Sequence, residues 1–275
     1  MSKRKHSLGH HLLTIAVVGW FMLLILVPTA TLIKEAFAAG WRPLVEALNT
    51  DQVRHAFTLT IITTAFAAVI NAIFGLAFAV VLVRHKFWGK TFVDGLVDLP
   101  FAVSPIVAGL MLLVLYGPKG WLGRPLEASG FQVAYALPGM ILACLFVTMP
   151  FVVREVVPVL REFGVEQEEV AYTLGSGRWT TFRRVTLPSI RWGLAYGVTL
   201  TIARSLGELG ALLVISGNTL GQTQTATLYI HDGIENPSPV GAYAASVVLA
   251  AMSFVLLIGI EWLRNRVSAK ETNAA

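Results

Sequence analysis

Arg204 and Glu208 are two charged residues inside a long apolar stretch, which makes them the first candidates for chemistry in this chain. Their four-residue spacing places both side chains on one face of a helix. A charge within such a segment is costly, so it faces protein or water and usually pairs with an opposite charge. The guanidinium could hold an oxyanion while the carboxylate moderates the affinity, since a site that passes an ion onward must also release it. The same pair could equally be a salt bridge that fixes helix packing.

Small and helix-breaking residues surround this pair and also interrupt a second apolar stretch. Gly207 and Gly210 flank the glutamate and would let neighbouring backbones approach closely. Pro100 and Pro105 each remove a helical hydrogen bond, which predicts a kink or an unwound segment between them. We assign Ser104, Pro105 and Gly207 to a candidate ion pathway together with the charged pair. The alternative for the two prolines is a bent helix that serves packing alone.

The loop 158–189 carries many charged residues between two apolar blocks. Acidic side chains crowd the start of 165–174, where the helix dipole favours them, and apolar residues recur there at three to four positions, which predicts a short amphipathic helix. Gly175 suits the left-handed conformation that ends a helix, a second short helix is expected over 178–185, and Pro188 restarts the chain toward the next block. A helix lying on lipid would carry Lys and Arg on its polar face, so the acidic turn favours a protein partner. The residues predicted to contact that partner are Glu168, Glu169, Ala171, Leu174, Gly175, Leu187 and Pro188.

The elements that must position these residues are apolar helices long enough to cross a membrane. Apolar residues make up 55% of the 275-residue chain and charged residues only 13%, which is too apolar for an ordinary soluble protein. Six blocks can each span about 30 Å of hydrocarbon. They lie at 12–33, 56–83, 96–116, 137–157, 190–216 and 240–263. The fold class expected is therefore all-α and polytopic, with one transmembrane domain over 12–263 and polar tails at 1–11 and 264–275.

The distribution of Lys and Arg predicts the orientation of the six blocks. One side of the predicted membrane carries 15 of the 21 basic residues and the other side five. Because basic residues accumulate in cytoplasmic loops, both termini and the 158–189 loop are expected in the cytoplasm. The outer connections around Gly117–Gly123 and Gly217–Pro239 are rich in turn residues and are expected to be ordered caps. Only the 158–189 loop shows a helical pattern of its own.

Several classes of function are disfavoured by what the sequence contains. Its one cysteine, Cys144, permits neither an internal disulfide nor a thiolate metal site, and all six histidines lie outside the apolar blocks. The phosphate-binding pattern of an ATPase does not occur, and no basic patch with interleaved aromatic residues indicates nucleic acid as a partner. We expect no cofactor and no metal. The N-terminus imitates a signal peptide, but its apolar run is too long, and we interpret it as a retained first span.

The polar loop resembles the EAA segment of binding-protein-dependent ABC permeases. The resemblance rests on the order Glu169-x-Ala171-x-x-x-Gly175-x9-Val185-x-Leu187-Pro188, with Val170 in place of the second alanine. Longer phrases around residues 98–109, 147–155, 184–193 and 207–211 are similar to the sulfate/thiosulfate permease subunits of the CysW type. This resemblance covers about residues 50–260. It implies the six-helix permease core of molybdate and sulfate importers.

The resemblance also implies partners and a location. A permease of this family pairs with a second permease subunit, here of the CysT type as a heterodimer, and stands on an ABC ATPase dimer that hydrolyses ATP on its behalf. An extracytoplasmic sulfate-binding protein delivers the anion, and the assembly lies in the lipid bilayer of the bacterial cytoplasmic (inner) membrane. The alternatives that stay open are the same architecture importing molybdate, tungstate or phosphate. A membrane-embedded enzyme would need a catalytic constellation, and an independent channel would not need the acidic loop.

Overall fold

The computed structural model describes the backbone of residues 8–235 and 239–272 and the side chains of 13–235 and 239–259. Within those ranges all regular secondary structure is helical, with fourteen α-helices and one π-helical turn. The α-helices, numbered α1 to α14 in chain order, are Leu8–Ala38, Trp41–Leu48, Asp51–Arg84, Lys90–Val97, Leu99–Ala102, Pro105–Tyr116, Gly123–Ala128, Leu137–Phe163, Glu166–Thr173, Arg178–Thr181, Leu187–Leu206, Gly210–Ile215, Ala226–Ile234 and Val240–Thr272. The π-helical turn is Phe182–Thr186. The expected all-α class is therefore what the structure shows.

Four helices are long and apolar enough to cross a membrane: α1, α3, α8 and α14. They contain the predicted blocks at 12–33, 56–83, 137–157 and 240–263, and each extends beyond its block at one or both ends. The helical backbone of α14 continues to Thr272, into the segment predicted as a polar tail, whereas most of the predicted tail at 1–11 lies outside the described residues. The four unbroken blocks thus correspond to four long helices.

The third apolar block is broken where its prolines predict a break. The chain passes through α4, α5 and α6, and Val103 between the last two has an extended backbone with φ −92° and ψ 132°. Pro100 and Pro105 each stand in the first turn of a helix. The backbone N–H groups of a first turn have no acceptor within the helix, so a proline there costs no hydrogen bond. The block therefore consists of short helices joined at the prolines.

The fifth block is also broken, and here the expectation of one helix over 190–216 was wrong. Helix α11 ends at Leu206, and α12 begins only at Gly210. The side chain of Glu208 lies in the gap and accepts a hydrogen bond from the backbone N–H of Ala211 at 2.8 Å. A carboxylate that caps the next helix competes with continuation of the first one, which explains the break.

The core is built on α8, which packs against α3 and α11. Val152 of α8 is fully buried between them. A Cβ at Gly75 would lie 2.9 Å from its side chain, and one at Gly197 would lie 2.8 Å from its Cα, so both helices approach α8 more closely than a larger residue would allow. The broken blocks pack beside this core, because a Cβ at Gly109 of α6 would lie 2.9 Å from the Cα of Ala211 in α12.

The connections between the blocks contain more helix than the sequence indicated. Helix α13 lies in a segment that was expected to be a cap, α7 begins at the edge of another such segment, and α2 lies in a connection for which no helix was expected. Leu44 of α2 and Leu228 of α13 are buried, so these helices are packed parts of the fold. The expectation that only the 158–189 loop would show a helical pattern was therefore wrong. The amphipathic signal of such short helices is too weak to stand out beside Gly and Pro.

Candidate functional site

The loop between α8 and α11 is shorter than the predicted range 158–189. Helix α8 continues past Pro158 to Phe163, and α10 passes through the π-helical turn directly into α11. Helix α9 lies where the short helix was predicted, with three glutamates in its first turn, but it is not amphipathic in the predicted sense, because its buried side chain is Glu168 and Val170 is exposed. Pro188 does stand at the start of α11, but the chain reaches it already helical, so it does not restart the helix after a loop.

Gly175 ends α9 in the manner predicted. Its φ is +85°, and its backbone N–H donates to the carbonyl oxygen of Tyr172 at 2.9 Å. The N–H of Ser176 donates to the carbonyl oxygen of Ala171 at 3.0 Å. These two bonds form a Schellman motif, which requires a left-handed residue between them and therefore favours glycine. The helix end is consequently specified by one residue.

The outward side of this segment is apolar and open to the surroundings. Leu174 is 81% exposed, Trp179 72% and Val170 58%, and Glu169 and Pro188 are also exposed. Two other predicted contact residues, Ala171 and Leu187, are half-buried. We call the exposed side chains of Glu169, Val170, Leu174 and Trp179 the outer face. Large exposed apolar side chains of this kind are typical of a surface that another protein or lipid covers.

Glu168 differs from its neighbour Glu169, because its side chain points into the protein. One carboxylate oxygen, Oε1, accepts a hydrogen bond from Arg84 Nη2 at 3.0 Å and another from Thr186 Oγ1 at 2.8 Å. Its side chain is only 12% exposed. The sequence placed Glu168 with the contact residues, and it could not reveal partners 84 residues upstream and 18 residues downstream. Glu168 therefore contacts its own chain and not the outer face.

The candidate pathway residues Arg204 and Glu208 form the predicted pair. Arg204 Nη1 lies 2.7 Å from Glu208 Oε2, and the carboxylate is buried whereas the arginine side chain is 34% exposed. The other carboxylate oxygen caps α12 through Ala211, and the backbone carbonyl of Glu208 accepts a hydrogen bond from Thr227 Oγ1 at 2.7 Å. Glu208 thus joins three helices, α11, α12 and α13, while about a third of the Arg204 side chain stays exposed.

The two broken blocks meet beside this pair. A Cβ at Gly210 would lie 2.9 Å from the Cβ of Pro105, so the start of α6 touches the start of α12, as the close approach predicted for Gly210 requires. Gly207 does not behave in this way, because a Cβ there would meet no atom within 4 Å. Ser104 is exposed immediately before α6. Ser104 and Pro105 therefore belong to the same region as the charged pair.

Arg154 forms a contact that the sequence did not predict. Its guanidinium donates to Asp98 Oδ1 and Oδ2 and to Asp94 Oδ1, each at 2.7 Å, and to the carbonyl oxygen of Asp94 at 2.8 Å. This two-aspartate clamp ties the first part of the broken third block to α8. The only signal in the sequence was the four-residue spacing of the two aspartates, which indicates a common helix face but not a partner.

Comparison with known proteins identifies the family of this chain. The family model described as "Binding-protein-dependent transport system inner membrane component" matches residues 71–269. The chain belongs to this family of permeases. Its members are inner-membrane transport subunits without an ATPase domain, so the chain is a transport component and not an enzyme. The resemblance inferred from the polar loop is thereby confirmed.

Among the members of this family, the chain is similar to permeases of sulfate transport systems. The chain is 43% identical over 256 residues to the sulfate transport system permease protein CysW of Synechocystis, and the aligned region covers 93% of each chain. It is 39% identical over 264 residues to CysW of Escherichia coli, covering 93% of this chain and 91% of that one. It is also 39% identical over 261 residues to the sulfate transport system permease protein CysT of Escherichia coli, covering 94% and 92%. This permease is thus a homologue of both subunit types.

A solved structure shows the same fold at low sequence identity. The chain superimposes with a TM-score of 0.77 on a chain of the bacterial alginate ABC transporter in complex with an alginate-bound periplasmic protein, at 18% identity and covering 94% of both chains. At that identity the likeness concerns the fold alone. The all-α, polytopic ABC importer permease fold is therefore established for this chain.

Proposed function

We propose that this permease is a membrane subunit of an ATP-driven importer that moves sulfate, with thiosulfate as a further candidate, across the bacterial inner membrane. The observation that carries the proposal is the similarity at 39–43% identity to permeases of sulfate transport systems over more than nine-tenths of both chains. Such coverage leaves no large segment of the chain outside the comparison. A retained tetrahedral-oxyanion substrate is the simplest reading of that similarity.

The proposed topology has six spans with both termini in the cytoplasm. Four spans correspond to the long helices α1, α3, α8 and α14. The other two would be composite, one made of α4–α6 and the other of α11 and α12, since neither block is a single helix. The excess of Lys and Arg on the side of the 158–189 loop supports its cytoplasmic location.

The proposed assembly contains a second permease, an ATPase dimer and an extracytoplasmic binding protein. The family description names transport that depends on a binding protein. Because Escherichia coli has both a CysW and a CysT permease and this chain resembles both, we propose a heterodimer with a CysT-type partner. The outer face, with Leu174 and Trp179, is the surface we propose for docking the ATPase, and Glu169 adds a charge for an arginine or lysine of that partner.

The proposed pathway runs past the junction of the two composite spans. Arg204 supplies a cation that is partly accessible, and Glu208 supplies a counter-charge that keeps the anion from binding too tightly. Ser104 and Pro105 lie beside the same junction. Movement of the outer face on nucleotide binding would open this junction alternately to the two sides of the membrane.

Uptake of labelled sulfate in cells lacking this gene tests the proposal. We expect uptake to be lost with the gene and restored by the intact chain, and we expect excess unlabelled thiosulfate to compete. Molybdate, tungstate and phosphate serve as competitors that separate the alternative substrates. Uptake of labelled sulfate that does not depend on the gene would contradict the proposed substrate. So would inhibition of that uptake by molybdate at concentrations at which unlabelled sulfate does not inhibit it.

A further inference from the structure

Glu168 connects three elements through one buried oxygen atom. It lies in α9, while its two hydrogen-bond donors are Arg84, the last residue of α3, and Thr186, the last residue of the π-helical turn. The side chains of the arginine and the glutamate are 14% and 12% exposed, and the threonine is 4% exposed as a residue. We call these three residues the inner link.

Burial makes the inner link hard to separate. A buried carboxylate that loses its partner keeps the cost of desolvation without the compensating charge, so the pair separates only at a large penalty. The threonine adds a second bond to the same oxygen and fixes its position between the two helices. Because three different elements share one acceptor atom, displacement of any one of them strains the contacts with the other two.

The inner link lies at the ends of the helices that reach the candidate pathway. Helix α11 follows Thr186 directly and ends beside Arg204, 18 residues later and so about 27 Å away along the helix. Helix α3 packs against both α8 and α11. On the opposite side of α9 from Glu168, Val170 and Leu174 of the outer face are exposed. The link therefore lies between a surface proposed to receive force and the helices proposed to move.

We propose that Arg84, Glu168 and Thr186 are positioning residues that transmit displacement of α9 to α3 and α11, so that ATP hydrolysis and ion movement stay coupled. This inference rests on the proposed function. It differs from docking, because none of the three side chains belongs to the outer face. It also differs from a purely structural role, because a residue that only maintains the fold would lower the amount of assembled transporter and leave the coupling of each assembled molecule unchanged.

The experiment uses the complete transporter reconstituted in proteoliposomes, with the amount of assembled complex measured by co-purification of its subunits. Sulfate uptake and ATP hydrolysis are measured together, and the readout is sulfate transported per ATP. Thr186→Val removes one donor and keeps the shape of the side chain, so it is the variant most certain to fold. We expect the ratio to fall about two- to thirtyfold while ATP hydrolysis per assembled complex persists, the range typical of altered coupling.

Two further variants and two controls complete the design. Arg84→Gln and Glu168→Gln are expected to lower the ratio by similar factors, and the double variant to be no worse than either one, since they remove the same link. Glu166→Gln and Lys86→Gln remove exposed charges from the same helix and from the residues just after α3, and are expected to leave the ratio unchanged.

Two results would overturn the inference. One is an unchanged sulfate-to-ATP ratio in Thr186→Val and Glu168→Gln. The other is a fall of uptake and hydrolysis in strict proportion to the assembled complex, which would mean that the link serves only the fold. A failure of the proposed function looks different, because the unmodified transporter would then hydrolyse ATP without moving sulfate at all.

Discussion

Substitutions at Arg204 and Glu208 can test whether this pair contacts the transported anion or only fixes helix packing. Replacing Arg204 with Gln leaves a carboxylate that is 1% exposed without its cation, and it also removes the positive charge of a side chain that is 34% exposed. We expect Arg204→Gln to reduce sulfate uptake about tenfold or more, because a hydrogen bond to a charged group contributes about 1.5–3 kcal/mol. The measurement is initial uptake normalised to the permease present in the membrane.

The double variant Arg204→Gln/Glu208→Gln separates a pathway role from a packing role. It neutralises both members, so no unpaired charge stays buried, and an amide oxygen can still accept the hydrogen bond from the N–H of Ala211. If Arg204 contacts the passing anion, the double variant recovers normal protein yield but not uptake. Recovery of uptake along with yield would show that the pair fixes helix packing and has no direct part in transport.

At the scale of the element, the end of α9 depends on the backbone of Gly175. The space around it is open, since a Cβ would meet nothing within 4 Å, so any cost of substitution comes from its φ of +85°. Gly175→Val places a β-branched residue in that conformation at a cost of about 1–3 kcal/mol and should shift the outer face. We expect inserted permease that no longer couples ATP hydrolysis to uptake. Gly175→Asn is the matched control, because asparagine tolerates the left-handed region, and full transport by Gly175→Val would contradict the docking role.

Elements differed in how far the sequence could predict them, and the difference follows the range of the interactions that build them. The position of helix α9 and its glycine end were predicted correctly because the dipole and capping act within ten residues. The break in the third block was readable from its prolines. The break at Glu208 was not, although two nearby glycines gave a signal, because the capping bond forms only after the chain has turned. The contacts of Glu168 and Arg154 join residues 18 to 84 positions apart, and no local pattern specifies such pairs.

At the scale of the whole molecule, the exposed apolar surface indicates how the chain is surrounded. The described side chains of α1 are almost all exposed, and an 18-residue apolar window of that helix is 0% buried within the chain. An exposed apolar helix of this length is stable only against lipid or against another apolar subunit. The chain therefore has the surface of a component that is completed by a membrane and by partners.

The same surface allows the proposed topology to be tested with a single reactive residue at a time. Cys144 is the only cysteine of the chain and is fully buried, so the unmodified permease should resist a membrane-impermeant maleimide and serve as the background. Ser129→Cys, just after α7, and Lys86→Cys, just after α3, introduce thiols at exposed positions on opposite predicted sides. In spheroplasts we expect the first variant to be labelled at once and the second only after the membrane is permeabilised, because the basic residues flanking Lys86 hold that loop in the cytoplasm. Immediate labelling of Lys86→Cys would show that the orientation is the reverse of the proposed one, with the outer face on the side away from a cytoplasmic ATPase. This one measurement therefore decides whether the proposed docking surface lies on the same side as the proposed ATPase.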